Sequence, residues 1–159
     1  MIRITIKGGD ETVKFLQRFP ERLRIALLRA MRESLILVQS LAKINAPVFR
    51  GLLRVSILQG ITEEGGKLMG HVGSALAYAP VLESGRTTGW FPPVSELKVW
   101  ARRKLGDERL AFVVGRAIRR RGFKAQPYLA PALESSASRI QTIFESRLRE
   151  AIQAEGGNV

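Results

Sequence analysis

The sequence lacks the residues from which most catalytic and metal sites are built. Its 159 residues include no cysteine and one histidine, His71. The absence of cysteine excludes disulfide bonds and thiolate metal ligands, and one histidine does not form a histidine cluster for a metal ion. The pattern around His71 is typical of an exposed strand position. No glycine pair is followed by Lys-Ser or Lys-Thr, so a phosphate-binding loop is also absent. We therefore predict a protein that is not an enzyme, with no catalytic residues, no cofactor and no metal.

Long hydrophobic runs are missing as well. No apolar stretch approaches the roughly 20 residues that a bilayer-spanning helix needs. The first four residues, Met-Ile-Arg-Ile, do not show the charged and then apolar order of a signal peptide. We therefore expect a single domain over residues 1–159 that is soluble, cytoplasmic and independent of membranes.

Acidic residues are scarce, with 14 Asp and Glu against 26 Lys and Arg, and the formal net charge is +12. The excess is regional: from Lys98 to Lys124 there are ten basic residues and only two acidic ones, Asp107 and Glu108. Such residues can be solvated and matched to helix dipoles, can contact nucleic-acid phosphates, or can dock on an acidic protein. The candidate contact residues are Arg102, Arg103, Arg119, Arg120 and Arg121.

Hydrophobic periodicity predicts an α+β fold. Strict alternation over residues 2–7 indicates a strand, and helical spacing over residues 11–19 is followed by Pro20, which interrupts it. The further predicted elements are a helix from Glu21 to about Asn45, a hairpin of strands Leu53–Thr62 and Lys67–Ser74, helices Val94–Leu105 and Glu108–Arg121, and a long helix after Pro127. The expected architecture is a small antiparallel sheet packed against a long N-terminal helix and a C-terminal helix. A helical insertion occupies about 93–122, and residues 155–159 form a frayed tail.

The predicted helix from Glu21 to Asn45 carries apolar residues on two faces. The main stripe consists of Leu23, Leu27, Ala30, Met31, Ser34, Val38 and Leu41. The opposite face carries Ile25, Leu28, Leu35 and Ile36. A helix on the surface of a monomer needs only one apolar stripe. The second face is therefore expected either beneath another element of the same chain or at a contact between subunits.

The stretch from Ala77 to Thr87 places one acidic residue inside a run of apolar and small residues. We expect a single-turn helix in which Tyr78, Val81 and Leu82 pack inward. Glu83 is then either solvated or paired with an arginine of the same subunit or of a neighbouring one, because a carboxylate is rarely buried without a partner. Tyr78 and Glu83 are candidate residues of a subunit interface.

The two helices of the insertion have predicted inward faces of their own. The first face consists of Leu97, Trp100, Ala101 and Leu105, and the second of Leu110, Val113, Val114, Ala117 and Ile118. Proteins that bind single-stranded nucleic acid stack bases on exposed aromatic side chains. Because Trp100 and Phe112 are expected on inward faces, the sequence gives little support to binding of this kind.

Three blocks of sequence, taken together, resemble one protein family. They are Ala46-Pro47-Val48 with Gly51–Ile57, then Tyr78–Gly85, then Pro127–Leu133. In this order and at these separations the chain is similar to the tail-component family of long-tailed bacteriophages, whose members act as tail-completion or tail-terminator proteins at the head–tail junction. The resemblance covers roughly residues 10–150. It departs from the family pattern at Arg50, where a small hydroxyl residue is more usual, and at Tyr128, where Phe is more usual.

The resemblance implies a structural subunit that works by assembly. An α+β subunit would form a ring, expected to be a hexamer, that caps the tail tube and joins it to the head–neck. Its partners would be further copies of the chain, the tail-tube protein and the connector or stopper protein of the neck, with DNA passing through the ring. It would lie at the tail–neck junction of the virion, and in the host cytoplasm during assembly. Residues 90–122 would be a variable insertion, to which the resemblance assigns no role. The alternative is a basic nucleic-acid-binding module.

Overall fold

The computed structural model describes residues 2–5, 21–48, 50–65 and 67–154. Its elements in chain order are β1 (Ile2–Thr5), α1 (Glu21–Asn45), α2 (Leu52–Ser56), β2 (Ile57–Glu64), β3 (Lys67–Ser74), α3 (Ala79–Ser84), α4 (Val94–Leu105), α5 (Leu110–Arg121) and α6 (Leu129–Ala154). The predicted α+β class and the two long helices are confirmed. The helix predicted at 11–19 and the tail predicted at 155–159 lie outside the described residues.

The three strands form one antiparallel sheet in the order β1-β3-β2. Strand β1 pairs with β3, with Ile2 opposite Val72. Strands β2 and β3 form the predicted hairpin, in which Glu64 and Lys67 are the last paired residues before a two-residue turn. Gly65 has a φ of 58°, a left-handed conformation of the kind that tight hairpin turns require. The turn composition therefore sets the register of this hairpin.

Helix α1 lies between two neighbours, and this gives it a wide buried face. Towards the sheet, Met31 and Leu35 lie over Gly70 of β3, where a Cβ atom would come within 2.7 Å of the Met31 sulfur and 2.8 Å of a Leu35 methyl carbon. Two residues along an α-helix rotate a side chain by about 200°, so Glu33 points to the other side. There α6 packs along α1, and Arg147 pairs with Glu33 at 3.0 Å.

The strand predicted to begin at Leu53 begins at Ile57, because α2 forms one helical turn before it. Gly51, with a φ of 76°, precedes this turn, and the Val55 N–H donates to the Gly51 carbonyl at 3.1 Å. The prediction of strand over residues 53–56 is wrong, since the chain forms a local helical hydrogen bond before it joins the sheet. As a consequence Val55 is 76% exposed, whereas Ile57 is 0% exposed.

Contacts divide the chain into two compact units, Met1–Leu76 with Pro127–Val159, and Ala77–Gln126. The second unit contains α3, α4 and α5 and includes the predicted helical insertion. Backbone hydrogen bonds join its segments: Arg86 and Phe123 exchange N–H···O bonds of 2.9 and 2.8 Å. Ala101 of α4 is fully buried, while Leu105, which was expected to point inward, is 46% exposed. The insertion is therefore a helical hairpin with little apolar interior of its own.

Candidate assembly surfaces

The second apolar face predicted on α1 is only partly at the surface. Ile25 and Ile36 are 40% and 49% exposed, and Leu28 is half-buried. Leu35 is 1% exposed because it packs on Gly70 of β3. The assignment of Leu35 to a subunit interface is therefore wrong, since the sheet covers that side of the helix. Of the second apolar face, Ile25 and Ile36 are the candidates for contact with a partner.

Exposed apolar side chains are concentrated at the C-terminal end of α1 and in the segment after it, and the sequence patterns did not indicate this. Among the described residues from 44 to 58, five large apolar side chains are 51% to 76% exposed: Ile44, Val48, Leu52, Val55 and Leu58. We call them the 44–58 surface. Ile44 and Val55 line one open depression together with Lys43 and Arg54. The expectation of a strand from Leu53 did not reveal these exposed side chains, because alternation along a strand would place Val55 on the same side as Ile57, which is buried. The helical spacing from Leu52 to Val55 is the signal that could have revealed them.

Helix α3 confirms the single-turn helix predicted in the Ala77–Thr87 stretch. It spans six residues. Val81 is 8% exposed, while Tyr78, Leu82 and Glu83 are half-buried. The six-residue helix therefore positions Tyr78 and Glu83 at its two ends, partly accessible to a partner. An ion pair between Glu83 and an arginine, of the same subunit or of a neighbouring one, stays a prediction.

The basic residues of the insertion lie where two helices end. The last turn of α4 contains Arg102 and Arg103, and the last turn of α5 contains Arg119, Arg120 and Arg121. All five are exposed. Positive charge at a helix C-terminus is stabilised by the helix dipole, so these positions need no partner to be tolerated. The structure thus gathers the predicted arginines into two separate groups on one helical hairpin.

The turn between α4 and α5 is organised by Asp107. Its Oδ1 accepts the backbone N–H of Arg109 at 2.9 Å, and its carboxylate pairs with the guanidinium of Arg109 at 3.2 Å. The side-chain and then the backbone hydrogen bond from Arg109 hold the pKa of Asp107 below its ordinary value. The carboxylate therefore stays ionised and organises the start of the helix, which begins at Leu110, two residues later than predicted.

Helix α5 is rotated relative to the prediction. Its buried residues are Ala111 and Gly115, and a Cβ atom on Gly115 would lie 2.6 Å from the ring of Phe91. Phe112 and Val113 are 53% and 62% exposed, so the prediction that they face inward is wrong. The bulky ring of Phe91 fits only against the small residues, and this turns the large ones outward. Of the other residues predicted to face inward, Val114 and Ile118 are half-buried, and Leu110 and Ala117 are exposed.

Within the described ranges, no group of three or more His, Asp or Glu side chains is placed to hold a metal ion. None of the helices that the structure describes is both long and apolar enough to cross a bilayer. Comparisons of the chain with protein-family models, with curated proteins and with solved structures found no match.

Proposed function

We propose that this protein is a structural subunit that assembles with copies of itself into a ring at the end of a phage tail tube, as a tail-terminator or tail-completion protein. The observation that carries the proposal is the 44–58 surface. Soluble monomers expose large apolar side chains singly, and a concentration of them marks an interaction site. Five such side chains among the described residues of 44–58, two of which line a depression with Lys43 and Arg54, therefore indicate a contact with another protein subunit.

The three sequence blocks that carry the resemblance to phage tail components support the proposed kind of assembly. The first block, residues 46–57, overlaps the 44–58 surface, and the second forms α3. The third leads into α6, and its residues Tyr128, Leu129 and Ala132 are 1%, 4% and 0% exposed. The resemblance thus includes both core residues and residues of the exposed apolar surface that we assign to assembly.

A closed ring needs two different surfaces on each subunit, which meet head to tail. The 44–58 surface provides one of them. Ile25 and Ile36, which are 40% and 49% exposed on α1, provide apolar side chains for the other. The proposed mechanism is burial of apolar area between subunits, which contributes about 25 cal/mol for each Å² removed from water.

Native mass spectrometry and light scattering of the purified full-length chain test the ring. The wild-type chain is expected to form a closed ring of defined size, with six subunits expected. Val55→Glu should give monomers with an unchanged far-ultraviolet circular dichroism spectrum, because Val55 is 76% exposed within the subunit. The matched control is Val99→Glu on α4, at a position 42% exposed, which should leave the ring intact. A wild-type chain that stays monomeric, or a ring unaffected by Val55→Glu, would contradict the proposal.

Electron microscopy of tail tubes tests the place of the ring. Tubes assembled from the tail-tube protein with the wild-type chain are expected to carry a ring at one end and to join to necks. Tubes assembled with the Val55→Glu chain should lack both properties. If rings form in solution but never associate with tubes or necks, the proposed ring assembly stands and the proposed role in the tail is rejected.

A further inference from the structure

The exposed side of α5 combines large apolar side chains with arginines. The segment Ala77–Gln126 contains eleven Lys and Arg residues and four Asp and Glu residues. Helix α5 itself has four arginines and no carboxylate. A helix that is both basic and apolar on its solvent side is not explained by packing within its own unit, and its charge selects for an acidic partner.

Four residues of α5 form one exposed face, which we call the α5 face: Phe112, Val113, Arg116 and Arg120. Residues three or four apart on a helix are neighbours, so Arg116 adjoins both Phe112 and Val113, and Arg120 adjoins Arg116. Phe112 and Val113 are 53% and 62% exposed. Among the residues that the structure describes, neither Arg116 nor Arg120 pairs with a carboxylate. Their charge is therefore available to a partner.

The ring of Phe112 is already held in place. The guanidinium of Arg116 lies over it at 5.2 Å from the ring centroid, and the ring of Phe91 packs beside it at 5.7 Å with a tilt of 48°. A side chain that is ordered before binding loses little freedom on binding. The same arrangement disfavours base stacking, because Arg116 covers a ring face that a base would need.

We propose that the α5 face binds an acidic amphipathic segment of a neighbouring protein. Carboxylates of the segment meet Arg116 and Arg120, and an apolar side chain covers Val113 and the edge of Phe112. Arginine and aromatic residues are the types enriched at the energetic centres of protein interfaces. Contact with phosphates alone would use the arginines but would gain nothing from an exposed Val113. The inference rests on the proposed function only in placing this neighbour in the tail or neck.

The test is fluorescence anisotropy of the full-length chain with three labelled probes at physiological ionic strength. The first probe is a peptide of about 20 residues, some 30 Å of helix, with Glu and Leu at helical spacing. The second has the same composition in permuted order, and the third is duplex DNA of about 20 base pairs, long enough for several phosphate contacts. The amphipathic peptide is expected to bind at least about tenfold more tightly than the permuted one.

Matched variants assign the binding to the α5 face. Val113→Ser and Arg120→Gln are each expected to weaken binding of the amphipathic peptide about tenfold, as the loss of an interface anchor does. The controls Val99→Ser and Lys98→Gln change the same residue type, or the same charge, on exposed positions of α4, and should change the affinity less than about twofold, within the usual range for a residue outside the contact.

Three results would overturn the proposal. Equal affinity for the two peptides would show that the α5 face attracts acidic peptides through non-specific charge alone. Tighter binding of the duplex, with a steep salt dependence and no effect of Val113→Ser, would assign the face to nucleic acid. If none of the probes binds, the α5 face is not a docking site. If the chain forms rings but binds no peptide, the proposed function stands and this inference fails. If the chain stays monomeric but binds the amphipathic peptide, this inference stands and the proposed function fails.

Discussion

Two buried serines on the two longest helices differ in what their hydroxyl groups bind. Ser136 on α6 donates to the carbonyl of Ala132, one turn earlier. Ser34 on α1 is 3% exposed, and its hydroxyl has no hydrogen-bond partner within the described part of the chain. A buried hydroxyl without a partner has lost its bonds to water and gained none in return. Ser34 is thus a weak point in the stripe that otherwise buries α1.

Ser34→Ala is expected to raise the free energy of unfolding by about 1 kcal/mol, because it removes the unpaired hydroxyl and introduces a better helix former. Ser136→Ala is the control: it removes a hydrogen bond that is made, and it should leave stability unchanged or lower it. Urea denaturation of both variants checks the prediction. A lower stability of Ser34→Ala would contradict the prediction, because it would mean that the buried hydroxyl of Ser34 stabilises the fold.

Helices α4 and α5 both end at a glycine with positive φ, but the two glycines face different demands. Gly106 has φ 80° and ψ −11° and nothing within 4 Å of an added Cβ. Gly122 has φ 77° and ψ −173°, and an added Cβ would lie 2.5 Å from the carbonyl oxygen of Arg86. The first conformation is tolerated by other residues at a cost, whereas the second belongs essentially to glycine.

Gly106→Ala is expected to lower the free energy of unfolding by about 1–2 kcal/mol, the cost of a left-handed conformation for a residue with a Cβ atom. Gly122→Ala should lower it more, because it adds a collision with backbone to strain of roughly 1–3 kcal/mol. Chemical denaturation followed by Trp fluorescence measures both. Equal losses in the two variants would show that the segment around Arg86 gives way, and that the bridge between Arg86 and Phe123 is not a fixed part of the fold.

For the whole molecule, a net charge of +12 makes like copies repel. Lys43 and Arg54 line the depression beside Ile44 and Val55, so assembly through the 44–58 surface brings positive charge to the contact between subunits. The α5 face, in contrast, attracts an acidic partner. Salt shortens the range of both effects, from about 10 Å at 0.1 M to about 3 Å at 1 M. The two surfaces are therefore expected to respond to salt in opposite directions.

Raising the salt concentration from about 0.1 M to about 1 M should increase the fraction of chain in rings and weaken binding of the acidic amphipathic peptide. Light scattering measures the fraction of chain in rings, and fluorescence anisotropy on the same samples measures binding of the peptide. Dissociation of rings at high salt would mean that ion pairs, and not the 44–58 surface, hold the subunits together.

The elements with local signals at both ends could be predicted from the sequence. Helix α1 lies between Pro20 and Ala46-Pro47, and its observed bounds, Glu21–Asn45, are those predicted. Helix α4 follows Pro93 and ends at Gly106, again as predicted. Strand β3 was predictable from its hairpin partner and the glycine turn. These signals are contained within a few residues, because capping, proline geometry and turn conformation act on the adjacent backbone.

Which apolar residues lie inside could not be predicted in this way, because it depends on how the elements pack against each other. Leu35 is buried because Gly70 of β3 leaves space for it, and Phe112 points outward because Phe91 occupies the small side of its helix at Gly115. Sequence periodicity predicts where the apolar residues lie around one element. It does not predict how many neighbouring elements pack against that element or which of its sides they cover. Those depend on contacts between residues far apart in sequence, and the candidate assembly surfaces are the apolar residues that such contacts leave uncovered.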